Sequence, residues 1–382
     1  MISPEQRPML RFLIVQTAAS VVGLQAWQIL FNNFAVEVAG LNGLQIGVIG
    51  SVREIPGFLA LLAVFVMLVI REHRLSSLSI ITLGLGVALT GLFPSYLGLI
   101  VTTLVMSFGF HYYETTNQSL TLQYFSTATA PLIFGRLRSL AAATSIVVGL
   151  MIFLMGLTFS YRVMFLTIGL LVVAAGIWGL FQDPTHKSAP PQHRKMIFRR
   201  RYSLFYFLTL MAGARRQIFV AFSVFLLVKV FHCTVTEITL LFVVNNAINY
   251  VLSPAIGRAI VRFGERKVLS VEYGGLIAIF LVYAFSGSKA VVIVMYILDH
   301  ILFNFAIAIR TYFQKVADPP DIAPSMAVGF TINHIAAVVM PAIGGALWMI
   351  DYRIPFIGGA CLSVISLLAV QRIPRFNQEI AG

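Results

Sequence analysis

Charge is what this sequence has least of. Only 11% of its 382 residues are Asp, Glu, Lys or Arg, against about a quarter in soluble domains. A chain so poor in charge cannot clothe itself in a polar surface, which excludes a soluble globular protein and a disordered one alike. Cysteine is scarce too. Cys233 and Cys361 lie in different kinds of segment, which excludes a disulfide scaffold and leaves two unpaired thiols. Catalytic signatures are missing as well: H-E-x-x-H, G-x-S-x-G, the P-loop G-x-x-x-x-G-K-[ST] and any Cys/His metal spacing. An enzyme and an ATP-driven pump are therefore not expected, and neither is a metal or other cofactor.

What is present is apolar. Hydrophobic residues make up 59% of the chain, and mean hydropathy is +0.90. Lipid is the solvent that suits such a composition. A membrane-crossing helix needs about 20 apolar residues, and the spacing predicts twelve: 10–33, 43–70, 75–93, 96–120, 137–158, 162–182, 203–229, 236–257, 268–286, 290–314, 325–349 and 354–371. The runs are continuous, not alternating, which excludes a closed β-barrel. The first is longer than a signal-peptide core and eleven follow, so retention is expected, not cleavage. The expected fold class is an all-α integral membrane protein with twelve transmembrane helices.

The net charge of +13 would suggest nucleic acid in a soluble protein. Here Lys and Arg alternate between the inter-helix loops. Twenty fall on the side of the termini, four on the other (Arg162, Lys229, Lys289, Arg353), and three lie within spans. That is the positive-inside pattern: it puts both termini in the cytoplasm and requires no nucleic-acid partner. Loops this short fit a multi-pass protein of a bacterial cytoplasmic membrane, expected as a monomer.

One connection differs from the rest. Residues 183–202 are polar and carry Pro184, Pro190, Pro191, Lys187, Arg194, Lys195 and the run Arg199-Arg200-Arg201. They divide the chain into 1–182 and 203–382, six spans each, as a linker between two repeats would. The halves share a short match. Gly257 to Lys267 reads G-R-A-I-V-R-F-G-E-R-K after the eighth span. Arg71-Glu72-His73-Arg74 follows the second, with Glu72 aligned to Glu265 and Arg74 to Lys267.

On these residues the sequence resembles the major facilitator superfamily of secondary transporters, over the whole chain. The family signature in this loop is G-x-x-x-D-R-x-G-R-R. Gly257, Arg262, Gly264, Arg266 and Lys267 match it, while Val261 replaces the acid. In the first half only the basic character survives, and Val64 stands at the first Gly position. The resemblance implies two pseudo-symmetric six-helix bundles and a latch at Gly257–Lys267, weak or one-sided here. Pro341-Ala342-Ile343-Gly344-Gly345 looks like the family's P-x-x-G-G element, which normally belongs to span five. Pro341, Gly344 and Gly345 form either a packing kink or a gating hinge.

Polar residues inside the spans are the informative ones, because a charge at mid-bilayer costs about 2.5–3.5 kcal/mol on insertion scales. In span four His111, Glu114, Gln118 and Thr121 share one helical face, with Asn117 beside it. That face either lines a wet cavity or joins an interhelical network. Span seven carries Arg215-Arg216, about 100° apart on a helix: one guanidinium is expected in a cavity, the other paired to an acid, and Arg suits a carboxylate or phosphate. Span ten carries Asp299 and His300, with Asn304 a turn beyond; Glu114, Asp299 and His300 are the proton-coupling candidates. Arg53-Glu54 reads as a structural pair, and Asn245, Asn246 and Asn249 read as packing contacts. Glu272 has no reading. The resemblance implies that spans one, four, seven and ten line a central cavity, which would gather Glu114, Arg215, Arg216, Asp299 and His300. The expected function is secondary transport of a small polar, anionic solute, with protons as a coupling partner. Export of lipids, amphiphiles or drugs on the same fold is the alternative.

Overall fold

The computed structural model describes residues 2–186, 192–193 and 196–374. Lys187, Pro190, Pro191, Arg194 and Lys195 of the linker lie outside the described residues. Among those described there is no β-strand, and twelve helices are long and apolar enough to cross a membrane. They are α1 (Pro4–Glu37), α2 (Val48–Val66), α3 (Glu72–Thr90), α4 (Tyr96–Tyr124), α5 (Ala130–Gly156), α6 (Tyr161–Leu180), α7 (Arg200–Lys229), α8 (Leu240–Phe263), α9 (Glu265–Phe285), α10 (Lys289–Val316), α11 (Pro319–Ile350) and α12 (Arg353–Val370).

Every expected span is found, but several run past their expected ends. Arg136 and Arg138 lie inside α5, Arg258 and Arg262 inside α8, and Arg310 and Lys315 inside α10. Hydropathy marks where lipid contact ends. The backbone hydrogen-bond ladder continues beyond it, because a basic side chain at a helix end reaches water without breaking the ladder. The α8–α9 connection is a single residue, Gly264, with φ of +81°. Only glycine holds that conformation cheaply.

The chain clusters into two compact units. One comprises Met1–Ser126, Leu137–Phe198 and Asp318–Thr331; the other Thr127–Arg136, Arg199–Ala317 and Ile332–Gly382. In the first unit α3 is clasped by α4 and α6 through small residues. A side chain on Gly109 of α4 would strike the α3 backbone at Ser79 and Leu83, and one on Gly86 would strike Met106 of α4. Gly84 and Gly169 bring α3 and α6 equally close. Lipid gives helices no hydrophobic reason to associate, so this dispersion contact holds them together. Pro56 interrupts α2, which tightens into a 3₁₀ turn at Leu59–Leu62. The Leu61 N–H donates to the Thr331 hydroxyl (2.9 Å).

The linker is anchored within the same unit. Asp183 accepts from the Thr185 hydroxyl (2.5 Å) and amide (3.2 Å) and lies 3.7 Å from Arg71. The Thr185 hydroxyl above all holds the Asp183 carboxyl below the ordinary range. Further along, Gln192 donates to the Pro319 carbonyl (2.9 Å) and accepts from the Ala323 amide (2.9 Å). His193 meets the buried Asp321 carboxylate at 2.7 Å.

The aligned acids Glu72 and Glu265 have matching surroundings. Glu72, opening α3, accepts from Gln123 at the end of α4 (2.6 Å). Glu265, opening α9, accepts from Lys315 at the end of α10 (2.8 Å). The first bond is to a neutral amide, the second to an ammonium.

These contacts set an expectation for stability. Gly109→Ala pushes α4 off α3 and costs about 1–3 kcal/mol, read as a lower melting temperature of the purified protein. Gly149→Ala, at a position with open space around it, stays within about 0.5 kcal/mol of the parent.

Candidate functional site

The buried charges gather in the second unit. Arg215 of α7 is 3% exposed, Glu272 of α9 3% and Asp299 of α10 2%. The Arg215 guanidinium donates to the Ser366 hydroxyl of α12, lies 3.9 Å from the Glu272 carboxylate, and sits 4.2 Å from the centre of the Tyr273 ring. Asp299 is close enough to feel both Arg215 and Glu272, and it faces Tyr283 of α9. Four helices thus converge on one guanidinium.

Arginine does not lose its proton. One cation therefore faces two carboxyls, and the cluster carries one negative charge in excess when both acids are ionised. Burying an unbalanced charge costs several kcal/mol. The contacts are also loose: 3.9 Å is an ion pair but too long for a hydrogen bond. Glu272 Oε2 and Asp299 Oδ2 make no hydrogen bond to a described residue. Such an arrangement can take up one proton and redistribute its pairing.

Neighbouring residues on one helix diverge, as the 100° step requires. Arg216 is half-buried where Arg215 is buried. On α10, Asp299 looks to α9 and α7, while His300 meets α8. Its Nε2 is 2.8 Å from the Asn249 amide nitrogen. The Asn249 oxygen accepts from Asn304 (2.7 Å), and Asn304 also donates to the His300 carbonyl (3.0 Å). An amide nitrogen can only donate, so Asn249 donates to Nε2 of His300. Both helices depart from α geometry just past these residues: α7 has a π-helical stretch at Ile218–Ser223 and α10 a 3₁₀ turn at Asn304–Ala306. Such departures recur at functional sites.

In the first unit Gln118 donates to Glu114 (2.7 Å), one turn away on the same α4 face. His111 packs its ring 5.9 Å from Phe330, and Thr121 bonds back to the Asn117 carbonyl. At the α8–α9 junction Gly257 lies against the Pro131 carbonyl, Arg266 donates twice to Gln371 (2.9 and 3.1 Å), and Arg262 lies over the Phe263 ring. Lys267 is exposed. In α11, Gly344 leaves room for the Phe222 ring, while Gly345 faces open space beside Pro341.

Sequence reasoning missed Glu272, Tyr273 and Ser366. A lone acid in an apolar span was the available signal for Glu272. Nothing marked a serine on α12.

The geometry can be set beside known proteins. The model of the Major Facilitator Superfamily matches residues 12–320. The chain belongs to that superfamily of membrane transporters and is a multi-pass membrane protein. Among solved structures it resembles the human organic anion transporter MFSD10 (TETRAN), with 12% identity, TM-score 0.78, and 97% of this chain and 100% of that one covered. It also resembles a bacterial homologue of the iron transporter ferroportin (14%, TM-score 0.77, 95% and 98% covered). A third is the E. coli fucose:proton symporter FucP (13%, TM-score 0.77, 96% and 98% covered). At such identities the likeness is one of fold. Comparison with curated proteins gives no match.

The cluster sets a second expectation. Arg215→Gln strands two buried carboxyls and costs about 3–5 kcal/mol. Adding Glu272→Gln recovers part of that loss, so a double-mutant cycle on thermal unfolding returns a non-zero coupling.

Proposed function

We propose that this chain is a proton-coupled secondary transporter of a small polar solute bearing an anionic group. The observation that carries the reading is the charge excess around Arg215: two buried carboxyls, one guanidinium and loose contacts. A proton on Asp299 or Glu272 brings the cluster to neutrality, and its departure favours a different pairing. A coupling site needs two such states whose balance a second ligand can bias. His300, held as an acceptor by Asn249, is less suited to carry the proton than either carboxyl. Arg216, half-buried one residue along from Arg215, is the guanidinium assigned to the solute's anionic group, because its planar fork matches a carboxylate or phosphate. Residues 1–182 and 203–382 serve as the two repeats, 183–202 as their linker, and the α8–α9 junction from Gly257 to Lys267 as a latch. The basic loop bias supports cytoplasmic termini in a bacterial inner membrane.

The test is solute-induced proton movement in liposomes, read with an entrapped pH dye against a panel of small carboxylates and phosphates. Wild type moves protons with at least one of them. Asp299→Asn abolishes the proton signal and keeps solute exchange. Arg216→Gln weakens solute binding about 10- to 100-fold. Undiminished proton flux in both Asp299→Asn and Glu272→Gln would sink the coupling reading.

A further inference from the structure

Asn245 of α8 is 1% exposed, and neither atom of its amide makes a hydrogen bond to any described residue. One turn on, on the same face, Asn249 has both amide atoms engaged, with His300 and with Asn304. The polar network therefore stops at Asn249 and leaves the next amide in line with nothing to meet. Buried polar groups are almost always satisfied, and one that is not calls for a reason. Leucine has nearly the same shape and would remove the cost. An amide kept there is an amide with a partner in some state of the protein.

The chemistry of that partner follows from the group. A primary amide offers a donor and an acceptor side by side. A carboxylate would use only the donor and an ammonium only the acceptor. A hydroxyl pair or another carboxamide uses both. The surroundings agree. Phe219 of α7 lies 6.0 Å from the His300 ring and 5.4 Å from Tyr296, so an apolar ring packs against the histidine of the network. That pairing suits a molecule with C–H and O–H faces.

We propose that Asn245 is a recognition group for a hydroxyl or carboxamide group of the transported solute, with Asn249, His300 and Asn304 as the network that positions it. The proposal rests on the reading of the chain as a polar-solute transporter and extends it: beyond its anionic group, the solute carries a neutral group that both donates and accepts. The amide lies out of water in this conformation, so the group it meets is itself desolvated when bound. There a complementary donor–acceptor pair discriminates strongly against an analogue lacking it.

The experiment is thermal unfolding of the full-length protein in detergent, for wild type, Asn245→Leu, Asn245→Ala and Arg216→Gln. The neutral probes are D-ribose, D-mannitol and acetamide; the charged ones are acetate and inorganic phosphate. The expected result is that a neutral probe raises the wild-type melting temperature by about 5 °C at a hundredfold excess over its Kd. Asn245→Leu, as stable as wild type or more so when empty, weakens that response about 10- to 100-fold. Asn245→Ala weakens the response in the same way. Arg216→Gln keeps the neutral response and loses only the anionic one, so failure of the anion reading is seen separately. The proposal is overturned by no wild-type response to any neutral probe or by an unchanged response in an Asn245 variant. It is overturned as well by an empty leucine variant that melts several degrees lower, which would mark the amide as a structural bond.

Discussion

A guanidinium keeps its proton under any condition a cell provides. Once Arg215 is placed in the interior of a membrane-embedded helix bundle, its charge has to be met by other parts of the chain. The partners come from three other helices: Glu272 and Tyr273 from α9, Asp299 from α10 and Ser366 from α12. None is near Arg215 in sequence, so the cluster forms only when these helices pack, and it helps to specify which helices pack. Because the acids outnumber the cation, the arrangement is also not closed. A balanced pair would be a rivet, whereas an unbalanced one has a reason to exchange a proton.

The scaffold that carries such a cluster has to be assembled without help from water. In the first unit this is achieved by glycines that let α3 approach α4 and α6 backbone to backbone. The second unit adds polar pairs, among them Glu265 with Lys315 and Arg266 with Gln371. The contrast is sharpest at the aligned acids. Glu72 meets a glutamine, while Glu265 meets a lysine, the same position stabilised with and without a charge. Two positions matched in sequence can thus keep a similar helix junction while only one of them uses an ionic partner.

The twelve spans were legible because lipid imposes one strong rule, an apolar run of sufficient length, and the chain obeys it throughout. Helix ends were not, because a basic residue at a helix terminus looks the same in sequence whether it lies in the last turn or in a loop. Arg258 and Arg262 belong to the helix, and Gly264 alone makes the turn. At the site, adjacency in sequence was informative in an unexpected direction. Arg215-Arg216 is a dipeptide whose members differ in burial, and Asp299-His300 one whose members face different neighbours. Glu272 was visible as a lone acid but unreadable, since its partner lies two helices earlier.

Asn245 and Asn249 mark the limit of pattern reading. They are the same residue, on the same face, one turn apart, and by periodicity they are equivalent. Only the positions of α10 side chains separate them: His300 and Asn304 reach Asn249 and stop short of the next turn. The distinction between an amide that braces two helices and an amide that awaits a partner is a property of three-dimensional register, absent from either helix alone. Polar residues in membrane spans therefore divide by whether the structure satisfies them. Asn249 is satisfied between two helices and helps to hold them, while Asn245 is the amide to which a ligand is assigned.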